Sequence, residues 1–195
     1  MKHFLEILAK VAHFVMSFFD SVPQEPIGEV TDLPAKPASG VSQHCIDIIK
    51  YYEQFRAKTY LDPVGIPTIG YGDTGPHVQM GQEITEAEAN RRLMDRLNKE
   101  FVPGVLGALK VTPSVEHLDA MVSLAYNIGV GALRNSTLVK LYNRRDVDGA
   151  MEQFARWHFS NKTSLKGLRR RRRTEQERYK GKTAREAIRI GIQVE

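Results

Sequence analysis

The sequence predicts an α+β chain, mostly helical, with a small β-lobe, a larger all-helical lobe and an amphipathic helix ahead of both. Three observations predict it. From Ile84 onward apolar residues recur at spacings of three and four. The β-prone runs with glycine and proline between them are confined to about residues 59–81. A proline-rich stretch, 23–40, separates the first 22 residues from the rest. Four segments follow: an amphipathic helix over 1–22, a linker over 23–40, one globular domain over 41–181 and a basic tail over 182–195.

The 195 residues suffice for one full core, and 42% apolar with 26% charged residues describes an ordinary soluble globular protein. One cysteine, Cys45, excludes an intrachain disulfide, and its place in an apolar helical pattern predicts a buried thiol. The six histidines are scattered, without His-Glu-x-x-His spacing, so neither a metal nor another cofactor is expected. The net charge is +5 and unevenly spread: residues 160–195 carry twelve Lys or Arg against four Glu, +8, which leaves −3 for the remainder. A basic C-terminal region suits a polyanionic partner, whether nucleic acid, an anionic membrane or a cell-wall polymer.

In residues 1–22 the polar positions Lys2, Glu6, Lys10, His13, Ser17 and Asp20 form one helical stripe, and Phe, Leu, Ile and Val cover the remainder. The longest uncharged run, 11–19, is about half of what a bilayer crossing takes. Three readings stay open: a helix docked on the domain or a partner, a membrane-surface helix with bulky Phe below the headgroups, or an export signal interrupted by Glu6 and Lys10. The four prolines of 23–40 predict an extended linker.

Ser42 is placed to cap a helix carrying Cys45, Ile46, Ile48, Ile49, Tyr52 and Phe55, with Glu53 in its last turn. Thr59-Tyr60-Leu61 and Pro67-Thr68-Ile69 read as strands joined by the turn Asp62-Pro63-Val64-Gly65. A capping box at Thr85–Glu88 opens a helix whose Leu93, Leu97 and Phe101 repeat until Pro103. A second helix starts at Thr112-Pro113 and runs to about Asn127; its broad apolar arc predicts a central position. Asp146 is placed to cap a helix holding Ala150, Phe154 and Trp157, and the last strong helix spans 165–180 with Gly181 ending it.

Glycoside hydrolysis needs two carboxyl groups in unlike surroundings, one that keeps its proton and one that stays ionised. Glu53, ending an apolar helix, is expected to be desolvated on one side; Asp62, in a polar turn, is expected to stay solvated and charged; Thr68, on the facing strand, offers a hydroxyl for a water. On spacing alone the ordinary alternatives stand: a helix-end glutamate is usually a solvated charge, Asp before Pro a turn former, and Thr in a strand a matter of propensity.

Three separated motifs alter that balance. Glu53, Asp62 and Thr68-Ile69-Gly70-Tyr71-Gly72 come first, then Tyr126-Asn127-Ile128-Gly129-Val130-Gly131 with Ser136-Thr137-Leu138, then Trp157 with Gly167-Leu168, the arginine run and Glu175. In this order and over about 41–180 the chain resembles the phage lysozymes, the endolysins that cut peptidoglycan. The resemblance implies a lysozyme-like fold for 41–181 and hydrolysis of the β-1,4 bond between N-acetylmuramic acid and N-acetylglucosamine. It assigns Glu53 as acid, Asp62 as base or electrostatic stabiliser and Thr68 as the holder of the water, and places Thr74, Tyr126 and Ser136 along the sugar cleft. It also implies that one of Arg169 to Arg173 pairs with Glu53 and favours its ionised form; the sequence does not say which, and a solvated face is the ordinary reading of the others. Many relatives carry histidine where this chain has Asp73, with His77 following later; if that imidazole is a packing group, Asp73 loosens the turn.

The resemblance further implies a monomer that acts on periplasmic peptidoglycan after a stay in the host cytoplasm, lysing the cell at the end of phage infection. Residues 1–22 and the basic C-terminal region are the candidates for contact with an anionic or outer-membrane surface. No nucleic-acid partner is expected, because the arginine run lacks interleaved aromatics. Two rivals remain at this stage: a lytic transglycosylase, which needs a single acid/base carboxyl, and a non-enzymatic membrane-disrupting protein.

Overall fold

The computed structural model describes residues 40–62, 65–160 and 163–195. The predicted helix over 1–22, nearly all of the predicted linker, and Pro63 and Val64 of the predicted turn lie outside the described residues. Helix α1 (Gln43–Glu53) starts at Ser42, whose hydroxyl accepts from the His44 amide, and buries Cys45, Ile46, Ile48, Ile49 and Tyr52. Gln54, at φ 52°, ends it and turns the chain into the sheet, so Glu53 is the last helical residue.

The sheet has three antiparallel strands in the order β1 (Arg56–Leu61), β2 (Pro67–Gly70), β3 (Asp73–Thr74). Tyr60 pairs with Thr68, and Thr68 with Thr74, so these three share one face. An irregularity between Arg56 and Tyr60 bends β1.

The helical lobe begins with α2 (Glu86–Arg96), capped by Thr85 through the Glu88 amide. The expected single helix up to Pro103 instead passes through a π-helical turn, Leu97–Phe101, into α3 (Val102–Leu106), with Pro103 in its first turn where no amide is needed. Next come α4 (Val115–Ile128), α5 (Val130–Arg134), α6 (Thr137–Tyr142) and α7 (Val147–Glu152). Ser114, two residues after the predicted start, caps α4. Every residue of α4 from Leu118 to Ala125 is buried, and the helix packs against α1, α3 and α8 (Lys166–Tyr179), the central position its apolar arc predicts. Asp146 caps α7 through the Gly149 amide, but Phe154 falls in a 3-10 turn, Gln153–Arg156, and Trp157 just after it. Strands β4 (Phe159–Ser160) and β5 (Thr163–Ser164) form a short hairpin.

One reading changes. Residues 182–195 are not simply a basic tail: Thr183 and Glu186 make a reciprocal capping box, and α9 (Ala184–Gly191) packs on α1 and α8 with Ala184, Ala187 and Ile188 buried. Its charges sit on one side only, and the other side is apolar. At Gly191 a Cβ would lie 2.0 Å from Thr174 Oγ1, so only glycine lets α9 approach α8 this closely. Of the five arginines of α8, Arg169, Arg170 and Arg173 stay partly exposed, whereas Arg171 and Arg172 turn inward and pair with carboxylates. Arg171 and Arg172 are 0% and 1% exposed, because fourteen residues of one helix cross the centre of the lobe and must turn some of five consecutive arginines inward.

Candidate active site

Glu53 projects from the end of α1 to the helical lobe's buried charges. Its Oε1 lies 2.6 Å from a guanidinium nitrogen of Arg171, and its side chain is 10% exposed. Arg171 is therefore the arginine that the run left unassigned. The guanidinium also lies over the Tyr52 ring, 5.5 Å from its centroid, and donates to the Ser123 carbonyl at 3.4 Å. On the other side of Glu53, Gly72 approaches so closely that a Cβ there would sit 3.4 Å from Oε2, at a φ of 79° that side chains disfavour.

Asp62 follows β1 and closes a turn. Its backbone amide donates to the Ile66 carbonyl at 3.0 Å, and its Oδ1 accepts from the Ile66 amide at 2.8 Å. At 5% exposure it is buried, not solvated as its turn chemistry predicted. The Ile66 amide reaches the carboxylate, a contact that sequence polarity does not reveal. Thr68 is 1% exposed, and its hydroxyl donates to the Ile66 carbonyl at 3.1 Å, leaving its oxygen lone pairs as acceptors.

Tyr60 ties the two carboxylates to one neighbourhood. Burial pushes its phenol up to about 12, and the negative charge of Glu53 adds to that effect more than the charge of Asp62 does, while Arg56 opposes it. Tyr60 stands opposite Thr68 on the same sheet face, with Thr74 beyond. Thr68 thus pairs with Tyr60, a residue that the motif did not flag, and the charges of Glu53 and Asp62 both act on its phenol.

The turn that carries Gly72 is held from below. The Tyr126 hydroxyl donates to the Tyr71 carbonyl at 2.6 Å, and Arg96 donates to the Gly72 carbonyl at 2.9 Å while covering the Tyr126 ring. Burial raises the Tyr126 phenol well above its ordinary value, so it stays neutral. Asp73 does not leave this turn loose: at 5% exposure it faces His77 Nε2 at 2.9 Å and Arg92 at 3.2 Å. Ser136 lies apart from these residues in chain and element: it caps α6, accepting from the Val139 amide at 3.2 Å.

The sequence profile of the family described as "Phage lysozyme" matches residues 50–175, which include Glu53, Asp62, Thr68, Arg171 and Glu175. This chain belongs to the phage lysozyme family. Over 143 residues it is 41% identical to an endolysin of Bacillus phage B103, covering 71% of this chain and 52% of that protein. The chain thus spans about half the length of the Bacillus phage relatives it matches. A SAR-endolysin of bacteriophage PS119 is 35% identical over 128 residues, 64% of this chain and 74% of that protein. Among solved structures, an endolysin from Escherichia coli O157:H7 phage FAHEc1 superposes with a TM-score of 0.65 at 36% identity, covering 71% of this chain and 92% of that one. The α+β reading with its lysozyme-like domain agrees with this membership.

The motifs of this phage lysozyme chain name Glu175, Asn127 and Trp157 without giving them a role, and all three lie in the network behind Arg171. Glu175 is 0% exposed; its Oε1 accepts from Ser123 Oγ at 2.9 Å and Arg172 at 2.9 Å, and it lies 3.4 Å from Arg171 Nε. Arg172 continues to Asn127 Oδ1 at 2.9 Å and the Trp157 carbonyl at 3.2 Å. Burial, with Arg171 adding to it, pushes the Arg172 guanidinium down to about 10 against the pull of Glu175. The i, i+3 and i, i+4 spacings from 171 and 172 to 175 carried a readable signal for this cluster. A second buried pair, Asp119 with Arg178 at 2.9 Å, also accepts from the Ser42 amide and hydroxyl, anchoring the start of α1 to α4 and α8. Burial raises the Asp119 carboxyl despite these partners. No cluster of metal-ligating side chains occurs among the described residues.

Proposed function

We propose that this chain is an endolysin that hydrolyses the β-1,4 bond between N-acetylmuramic acid and N-acetylglucosamine in bacterial peptidoglycan. The observation that carries the reading is the arrangement around Tyr60: a nearly buried Glu53 on Arg171 and a buried Asp62 both act on one phenol, with Thr68 opposite it. Glu53 gives its proton to the glycosidic oxygen as the bond to the anomeric carbon breaks. A water attacks that carbon, and Asp62 takes the proton it releases; exchange with solvent restores both carboxyl groups. Because the Thr68 proton is committed to Ile66, its oxygen accepts a hydrogen from that water and leaves a water lone pair directed at the sugar. Thr74, on the same sheet face, contacts substrate directly, whereas Tyr126 and Ser136 shape the cleft through the turn at Tyr71 and the start of α6.

Glu53→Gln tests this. We expect activity on purified peptidoglycan to fall at least about 10³-fold with the fold retained, as loss of a positioned general acid predicts, and new reducing ends among the wild-type muropeptides. Clearing that persists undiminished in the variant, or anhydro-muramic ends in place of reducing ends, defeats the reading.

The same proposal extends to the setting: synthesis in the host cytoplasm, action on periplasmic peptidoglycan at the end of phage infection, and monomeric action. Residues 1–22 assist contact with a lipid surface, on the strength of their apolar arc. No helix among the described residues is long and apolar enough to cross a membrane. A chain starting at Val41 is expected to clear bare peptidoglycan normally but to act poorly on intact Gram-negative cells; equal potency on intact cells removes that role.

A further inference from the structure

The charge that faces Glu53 is shared. Arg171 is fully buried between two carboxylates, Glu53 at 2.6 Å from one terminal nitrogen and Glu175 at 3.4 Å from Nε. Glu175 is no exposed counter-ion: it is 0% exposed and held by Ser123 Oγ and by Arg172, whose Nε lies 2.8 Å from Glu175 Oε2. The cluster therefore contains two guanidinium groups and two carboxylates on two elements, α1 and α8, with Ser123 of α4 holding Glu175. Removing the carboxylate at 175 leaves two buried cations beside Glu53 and no second anion among these four groups. Removing Arg172 leaves one cation serving two anions.

We infer that Glu175 is a positioning residue: it draws part of the Arg171 charge away from Glu53 and so sets the alkaline limit of activity. The inference rests on the reading of Glu53 as the acid. A cation that pairs strongly with a carboxyl favours its ionised form, and a general acid must keep its proton until the bond breaks. An arginine placed at 2.6 Å from Glu53 opposes that requirement. Glu175 moderates the opposition without moving the guanidinium, because Ser123 and Arg172 fix the competing carboxylate from behind. Coulombic coupling is strong here because Arg171 and Glu175 are fully buried and Glu53 nearly so.

The charged groups next to the cluster are Asp62 beyond Tyr60 and the Asp119–Arg178 pair beyond Cys45, and the thiol and phenols facing it stay neutral across the working range. From α1 come Cys45 and Tyr52, from β1 Tyr60 and from α4 Tyr126. Burial pushes Tyr60 up to about 12, and it raises Cys45, Tyr52 and Tyr126 well above their ordinary values. Arg172, pushed down to about 10, still carries its proton below that. Arg96 and Asp73 lie beyond Tyr126 and act on its phenol.

The experiment measures kcat/KM against pH on purified peptidoglycan for the full chain, for Glu175→Gln, for Arg172→Gln and for the double variant, each checked by circular dichroism. In Glu175→Gln the alkaline limb is expected to move down by about one pH unit, the size of effect one buried neighbouring charge has on a carboxyl. In Arg172→Gln it is expected to move up, and in the double variant, which restores the charge balance, to return close to wild type. A structural role alone lowers the whole curve in each variant without moving the limb, and that result overturns the inference, as does a shift of both single variants in the same direction. If Glu175→Gln does not fold, the upward limb of Arg172→Gln decides by its sign, and an unmoved limb there also overturns it. Glu53→Gln in the same assay keeps the two questions apart: activity there defeats the acid assignment, whereas an inactive Glu53→Gln with coincident limbs defeats only the role of Glu175.

Discussion

Two clusters of arginine and carboxylate in this molecule have the same chemistry and opposite surroundings. On α2, Arg91 is 62% exposed in its side chain and reaches Glu88 and Asp95, themselves 31% and 46% exposed. Hydrogen bonds from Arg91 and Arg92 hold the Glu88 carboxyl low, at about 2. On α8, Arg171, Arg172 and Glu175 are 0–2% exposed in their side chains and close on Glu53. Water can replace any partner on α2. At the buried α8 cluster it cannot, so each charge there depends on the others remaining in place. The comparison teaches that in this chain the position of the charge, and not the ion pair itself, decides what a substitution does.

The buried cluster should break hardest. Arg171→Met leaves Glu53 and Glu175 without the cation between them, and we expect unfolding free energy to drop by about 3–5 kcal/mol, the usual cost of stranding a buried charge, read as a lower urea midpoint. An unchanged midpoint would remove the contrast between the clusters.

His117 sharpens the comparison from between the extremes. It stacks on Tyr179 at 4.0 Å, its Nδ1 lies 3.0 Å from the Tyr142 hydroxyl, and burial lowers its imidazole below the ordinary 6.5 against the pull of Glu116. The unfolded chain then takes up a proton near 6.5 that the folded one still refuses. Stability from this group is present above 6.5 and lost as pH falls through the lowered folded value. Thermal melts from pH 7 down to about 5 should therefore fall less steeply in His117→Gln than in wild type; parallel slopes would show that burial has no such effect.

Arg91→Ala marks the small end. Its melting midpoint should match wild type within replicate error at ordinary salt, because solvent and ions screen so exposed a pair. A drop approaching that of Arg171→Met would mean that exposure does not set the scale.

Local chemistry was legible where neighbours in sequence supply it. Ser42 capping α1, Glu53 at its end, the two strands flanking Asp62 and the apolar arc of α4 all follow from spacing and turn residues within a dozen positions. The burial of Asp62 is not legible because it is a tertiary property that the polarity of its sequence neighbours does not report. Asp73 looked like a weakness in the turn until His77 and Arg92 closed on it from two directions. The C-terminal residues read as a basic tail because charge counting ignores that Ala184, Ala187 and Ile188 share one helix face.

By itself the sequence determined most element types and the order of the lobes, since these depend on periodicity, caps and turns that act within one or two helical turns, and its resemblance to the phage lysozymes supplied the three residues that head the candidate site. Tertiary structure alone decided which arginine meets Glu53, which carboxylate competes for it and how deeply both are buried. Residues 118 positions apart meet there; spacing to Glu175 narrows five adjacent arginines to Arg171 and Arg172, but only the packing of α8 against α1 and α4 sets which one reaches Glu53.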